Sequence, residues 1–290
     1  MMDFILDFVM AAIRAGTPLI FCALAVLIAE RSGVLFLGVE GNMLIGALTG
    51  FLGALFLGSI LVGVMLAMVL AVLFGLLLSV ILIRLPADQV VIGIAFNLAA
   101  LGLTGYVFRL AGPDAVAILP QRVEPLLFGL TIFELSAFAL TIVCWWFLFR
   151  SGPGLKFRST GESALAASAA GINITKVRTF AMMAACALAS MGGVALSVGW
   201  VRTYMDNISM GRGFIALAAV YFGKWNPIYA ALAALLFGAG EALAFRSQAM
   251  GIPLNVFYLR MVPYLLTIIA VGIAGKSKGP ADAGKVYLRR

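Results

Sequence analysis

Long apolar runs with no polar alternation dominate the chain. Clear ones cover 60–83, 89–110, 127–149 and 178–201, and shorter or glycine-interrupted ones cover 16–29, 34–57, 212–223, 227–246 and 260–275. A helix needs ~20 mostly apolar residues to cross hydrocarbon, whereas a barrel strand needs ~10 alternating ones, so the pattern predicts helices. The expected fold is all-α and polytopic, with about eight to ten transmembrane or partly re-entrant helices. No linker separates a second unit, so residues 1–290 read as one membrane domain. Ahead of the first run, Asp3, Asp7 and Arg14 share a helical face, with Phe4, Ile5, Phe8, Val9 and Ile13 elsewhere. That pattern predicts an interfacial helix over 1–15, an extra tilted span being the alternative. Asp3 and Asp7 stand where a secretory signal would carry Lys or Arg, so none is expected.

Glycines interrupt these runs in informative ways. Gly38-Val39-Glu40-Gly41 sets a carboxylate between two glycines inside an apolar stretch. This reads as a break in a helix, where freed backbone groups must face protein or water, or else as close packing. Gly46 and Gly50, four apart, let helices approach closely. The stretch Glu40–Ala47 is echoed by Arg212–Ala219: in both, a charge and a glycine precede an apolar run ending in small residues. The two runs are expected to point opposite ways, as inverted repeats do around a transport pathway. Chance likeness between apolar helices is the alternative.

Composition narrows the class. Hydrophobic residues make up 63% and charged ones 11%, against ~45–50% and ~25% in soluble domains, which excludes an ordinary soluble enzyme. Lys and Arg placement sets orientation. With the polar stretch 150–177 (Arg150, Lys156, Arg158, Lys176) on the cytoplasmic side, the tail 276–290 falls there too. Outside then lie Arg14, Arg109, Arg122, Arg202, Arg212, Arg246 and Arg260, the minority of the 20 basic residues. The expected location is the cell (inner) membrane, as a multi-pass protein. The +8 net charge is a topology signal that needs no nucleic acid, and anionic lipid is its natural contact.

Little in the chain suggests bond-making chemistry. There is no histidine, which removes Ser-His pairs and His-based metal sites. Cys22, Cys144 and Cys186 sit in apolar runs without pairing or metal-like spacing, and read as packing residues. Every Asp falls at a terminus, loop or span end, so an intramembrane aspartyl pair is not expected. Ala270–Ser277 fits a relaxed phosphate-loop pattern, but an apolar span precedes it where a strand is needed. Lys276 and Lys278 read as basic anchors, and no resident cofactor or metal is expected. The spans do hold Glu40, Asn97, Glu134 and Glu241. A charge at mid-membrane costs ~2.5–3.5 kcal/mol on insertion scales, so each needs a partner or a wet cavity. Asn97 suits either a pathway lining or a bond to a neighbouring helix, and Glu241 a structural role.

The stretch 154–178 is the most informative polar region. Thr160 predicts an N-cap for a short alanine-rich helix, with Glu162 in its first turn and Gly171 ending it. Such a helix is either surface decoration or a docking knob for a soluble partner.

Several segments carry a family resemblance. Glu30–Ala47, with Gly38-Val-Glu-Gly-Asn42, resembles an early signature of type 2 binding-protein-dependent ABC-importer permeases, nucleoside/simple-sugar branch. Asp88–Leu98, containing Phe96-Asn97, resembles that branch's second signature. Gly211-Arg212-Gly213-Phe214 through Ala219, followed by Phe222–Pro227, resembles its third, and Pro263–Thr267 its final-span motif. Gly161-Glu162 with Ala166-Ala167 and Gly171 resembles the family's cytoplasmic coupling loop, over 150–177, which docks on an ATPase. Ser163-Ala164 replaces the family's usual Asn-Pro, and Phe36 its usual Asn. The resemblance implies a type II ABC importer-like permease, not an enzyme. ATP would be bound by separate ABC ATPase subunits. A second permease, paralogue or self-copy, would complete the pathway, and an external substrate-binding protein would feed it. Glu40, Asn42, Phe96, Asn97, Arg212 and Phe214 are the candidate pathway residues. Nucleosides or related compounds are the expected substrate, with simple sugars such as ribose as the alternative. From other classes, an ion-coupled secondary transporter would use Glu40 or Glu241, and a membrane scaffold would transport nothing.

Overall fold

The structure is a computed structural model that describes residues 2–85, 87–112, 118–249, 279–285 and 287, with isolated positions 261, 265 and 272. Apart from those isolated positions, the run at 260–275 and the Pro263–Thr267 motif lie outside the described residues, as do Lys276 and Lys278. Among those described, seven helices are long and apolar enough to cross a membrane.

The chain opens with α1 (Met2–Arg31). The helix expected separately over 1–15 is continuous with the first span, since nothing before Pro18 breaks the backbone ladder and Thr17 donates its hydroxyl to the Ile13 carbonyl. From Ala15 to Glu30 α1 is buried on every side. A helix apolar all round belongs at the centre of a bundle, and α1 packs against α8 (Ile174–Val194), α9 (Arg212–Phe222) and α10 (Pro227–Ala249). A non-helical run over 32–38 leads into α2 (Val39–Phe56), so the chain does break beside Gly38. α3 (Ile60–Ser79) continues as a widened π-helical turn, Val80–Arg84. Then come α4 (Gln89–Leu110), whose N-cap Asp88 accepts from the Val90 and Val91 N–H groups, and α5 (Ile132–Arg150). α5 begins later than the apolar run suggests because Thr131 and Glu134 form a capping box. Glu134 therefore serves a helix end, with the Thr131 N–H donating to it at 2.6 Å. Two short helices follow, α6 (Gly152–Glu162) and α7 (Ala164–Ala169).

α2 and α8 touch backbone to backbone. A methyl on Gly46 would fall 2.4 Å from the Ser190 carbonyl oxygen, and one on Gly193 would fall 2.0 Å from that of Met43. The small-residue reading of Gly46 and Gly50 holds. Gly193→Ala is expected to lower stability by about 1–3 kcal/mol, as overpacking does, read as the thermal midpoint in detergent. Gly102→Ala on α4, where a methyl meets nothing within 4 Å, should be neutral or slightly stabilising.

Contacts sort the two ends of the bundle. Residues 32–33, α6 and α7, 223–225 and the tail residues 279–285 and 287 gather at one end, where Trp225 accepts from Arg31 and Gly161 from the Asp282 N–H. At the other, Arg202 and Leu119 bond, Gln121 reaches the Gly58 carbonyl, and Arg14 that of Gly129.

Candidate functional site

Of the four acids and amides inside the spans, Glu40 and Asn97 meet at one junction and Glu241 reaches it through Arg212. It forms where α2 and α9 begin. The Glu40 carboxylate, in the first turn of α2, accepts from the Gly211 N–H at 2.8 Å, the Gly213 N–H at 2.6 Å and the Ser209 hydroxyl. These are orphan donors at the start of α9, and a carboxylate there is also favoured by the helix dipole. Gly213 permits the contact, because a methyl on it would stand 2.6 Å from Glu40 Oε2. From this junction α2 runs toward Gly58 at one end. α9 runs toward Glu30 and Arg31 at the other, where Glu30 accepts from the Trp225 indole. The sequence echo thus corresponds to two helix starts that face each other and diverge. α9 has 11 residues, or about 16 Å at 1.5 Å each, roughly half a bilayer.

Arg212 is not an outside residue, as its charge suggested. It is buried, ion-paired with Glu241 on α10, and its Nη1 donates to the Ile208 carbonyl at 2.9 Å. Its guanidinium stands 5.7 Å from the centroid of the Trp200 ring. The reason is energetic, since a half-length helix whose start buries Arg inside the bundle must bring an acid to it. Asn97 spans the break: its Nδ2 donates to the Leu37 carbonyl at 2.9 Å and its Oδ1 accepts from the Gly41 N–H at 2.8 Å. Of the two readings open to it, the geometry displays the bond to a neighbouring segment. Phe96 packs over Gly38 and Gly41, and Asn42 turns back to the Gly38 carbonyl. Glu40, Asn42, Phe96, Asn97 and Arg212 are therefore brought together. Phe214, next to Gly213, is about half exposed.

Beyond the junction lies a cleft of about 310 Å³, lined by Leu101, Gly102, Gly105, Tyr106, Arg109, Asp206 and Asn207. Arg109 and Asp206 approach to 3.8 Å across it, both largely exposed. None of these residues stood out in the sequence, because α4 and the 202–211 loop are about a hundred positions apart.

At the opposite end, the α6–α7 pair forms a platform. The N-cap of α7 is Ser163, accepting from the Ala166 N–H, in place of the expected Thr160. Thr160 is fully buried one turn earlier, its hydroxyl within hydrogen-bonding reach of the Phe157 carbonyl at 2.7 Å and the Ser32 carbonyl at 3.0 Å. Gly161 presses on the Arg31 carbonyl and Ala167 packs inward, while Glu162 and Ala166 face out. Gly171, at φ +80°, ends the unit. Leu165, which sequence reading passed over, is 76% exposed at its tip. The tail seals the platform from behind. Asp282 accepts from the Ala164 N–H at 2.8 Å, Gly284 donates to the Gly33 carbonyl, and the Tyr287 hydroxyl meets Ser168 at 2.8 Å. Burial works to raise the Asp282 carboxyl, but the Ala164 N–H and the Lys285 ammonium, with Arg178 further off, hold it below its ordinary value. A carboxyl depressed in the fold stabilises above the ordinary carboxylate range and loses that contribution as pH falls through the lowered value.

The family described as branched-chain amino acid transport system / permease component matches residues 8–271. The chain is 34% identical to the guanosine ABC transporter permease protein NupQ of Bacillus subtilis, over 96% of this chain and 95% of that one. It is 31% identical to the nucleoside ABC transporter permease protein NupC of Lactococcus lactis, over 94% of each. A putative glucose ABC transporter permease protein of Haloferax volcanii is 31% identical over 88% of this chain and 82% of its own. No solved structure matches the chain.

Proposed function

The chain belongs to the branched-chain amino acid transport system / permease component family, and on that footing we propose that it forms the translocation pathway of an ABC importer for nucleosides. The nucleoside class is supported by likeness, across nearly the whole length, to permeases named for guanosine and nucleosides. The glucose-permease relative covers less of both chains, so sugars rank second. In this reading 150–177 and the tail are cytoplasmic, a second permease completes the pathway, and a binding protein delivers solute to the cleft end.

ATP is used on a separate subunit that docks at α6–α7. The observation behind that docking is Leu165, an apolar side chain displayed outside the spans beside the exposed Glu162 and Ala166. A lone exposed leucine is ordinary, but at the tip of a braced platform it fits an apolar groove on a partner. Solute and ATP would then stabilise different members of a two-state set, and the motor would shift the balance. Both acids that an ion-coupled carrier would need are engaged, Glu40 by α9 and Glu241 by Arg212.

Uptake of labelled guanosine by vesicles holding both permeases, the ATPase and the binding protein tests this. Uptake should require ATP, survive an ionophore, and yield to excess nucleoside rather than to glucose or ribose. Ionophore collapse or sugar competition would point to the other readings. Leu165→Asp should lower uptake at limiting ATPase by about 30-fold, the equivalent of losing ~2 kcal/mol of docking, with normal insertion. Unchanged uptake would remove Leu165 from the interface.

A further inference from the structure

We infer that the C-terminal segment 279–285 is a positioning strap that passes motion of the coupling helices to the helix break at 32–38, with Asp282 as its central residue. This rests on the reading of α6–α7 as the ATPase-facing platform. Bonds to the platform run both ways at Asp282: its N–H donates to the Gly161 carbonyl and its side chain accepts from the Ala164 N–H. Two residues on, the Gly284 N–H donates to the Gly33 carbonyl, at the foot of the break. Arg178, 1% exposed at the base of α8, clamps the layer by donating to the Ser32 carbonyl and to the Lys285 carbonyl. The strap therefore lies between the platform and residues 32–33, bonded to each.

The segment 32–38 then leads to the junction. Asn97 holds its Leu37 carbonyl and Glu40 follows within the first turn of α2. A displacement of α7 toward the membrane would reach Gly33 through the strap as well as through Thr160, which bonds Ser32 directly. Two parallel braces on one short segment make it move as a body with the platform. Coupling of this kind is carried by contiguous hydrogen-bonded contacts, and its strength is measurable.

The test uses Asp282→Ala and the near-isosteric Asp282→Asn in the full-length chain. Hydrogen exchange of the 160–172 amides in the purified chain should be about fivefold faster in the alanine variant and near normal in the asparagine variant. In vesicles with the full complex, Asp282→Ala should move about tenfold fewer guanosine molecules per ATP hydrolysed, with the ATPase still co-purifying. Asp282→Asn should recover most of that ratio. Unaltered exchange overturns the strap. Faster exchange with an unchanged transport-to-hydrolysis ratio also overturns it, by making the segment a purely structural brace. If the alanine variant does not assemble, the asparagine variant decides: it must show a ratio below wild type but above one-half, and an unchanged ratio counts against the strap. Absence of ATP-dependent uptake by the wild-type complex, with exchange still accelerated in the variant, identifies the importer reading as the failure and removes the transmission role with it.

Discussion

Glu40→Ala is expected to destabilise the chain by about 3–5 kcal/mol. The carboxylate is 6% exposed and satisfies three donors at once: the Ser209 hydroxyl and the Gly211 and Gly213 N–H groups. Removing it strands those donors at membrane depth, where each buried unsatisfied group costs about 1–3 kcal/mol. It also leaves the positive end of α9 without its anion, an interaction worth up to ~2 kcal/mol when partly buried. These contributions overlap, which keeps the total below their sum. Glu40→Gln keeps one acceptor oxygen but turns an amide NH2 toward other donors, so about 2–3 kcal/mol is expected. Thermal midpoints of the detergent-purified variants read both effects. If alanine and glutamine variants melt with wild type, Glu40 does not hold α9 in place.

The junction also explains which parts of the fold the sequence disclosed. Membrane spans were legible because hydrocarbon enforces long apolar runs. The Gly46 contact was legible because close helix approach needs small residues. Glu40 was conspicuous as an acid between glycines, yet its partners lie some 170 positions away and no local pattern names them. Arg212 misled for a related reason: charge counting sends an unpaired arginine to the nearest surface, and only the folded chain shows Glu241 beside it. Ser163 and Thr160 are both good caps, but Thr160 lies inside α6, its hydroxyl within reach of the Phe157 and Ser32 carbonyls, which leaves the start of α7 to Ser163. The Arg109–Asp206 cleft and the strap over α7 likewise join distant segments.

Arg212 and Glu241 supply the second large effect, and a cycle of substitutions separates structure from ion binding. Arg212→Leu should cost about 3–5 kcal/mol, because it leaves Glu241, 14% exposed, without its cation. It also strands the Ile208 carbonyl that accepts from Nη1, whereas the Ser209 carbonyl keeps the backbone N–H of residue 212. Glu241→Leu should cost less, about 2–3 kcal/mol, since the remaining guanidinium keeps those carbonyls and the Trp200 ring. The double leucine variant should fall short of the sum of the singles by at least about 2 kcal/mol, since two groups in direct contact do not act independently. It will not match wild type, because the Ile208 carbonyl stays without its guanidinium donor. Chemical or thermal unfolding in detergent gives all four corners of the cycle, and strict additivity would dissolve the pair. Transport adds a second axis. If Glu241 were a proton or sodium site, the double variant would be inert however well it folded. If the pair serves to hold a half-helix of 11 residues against α10, the folded fraction of that variant should still take up guanosine on ATP.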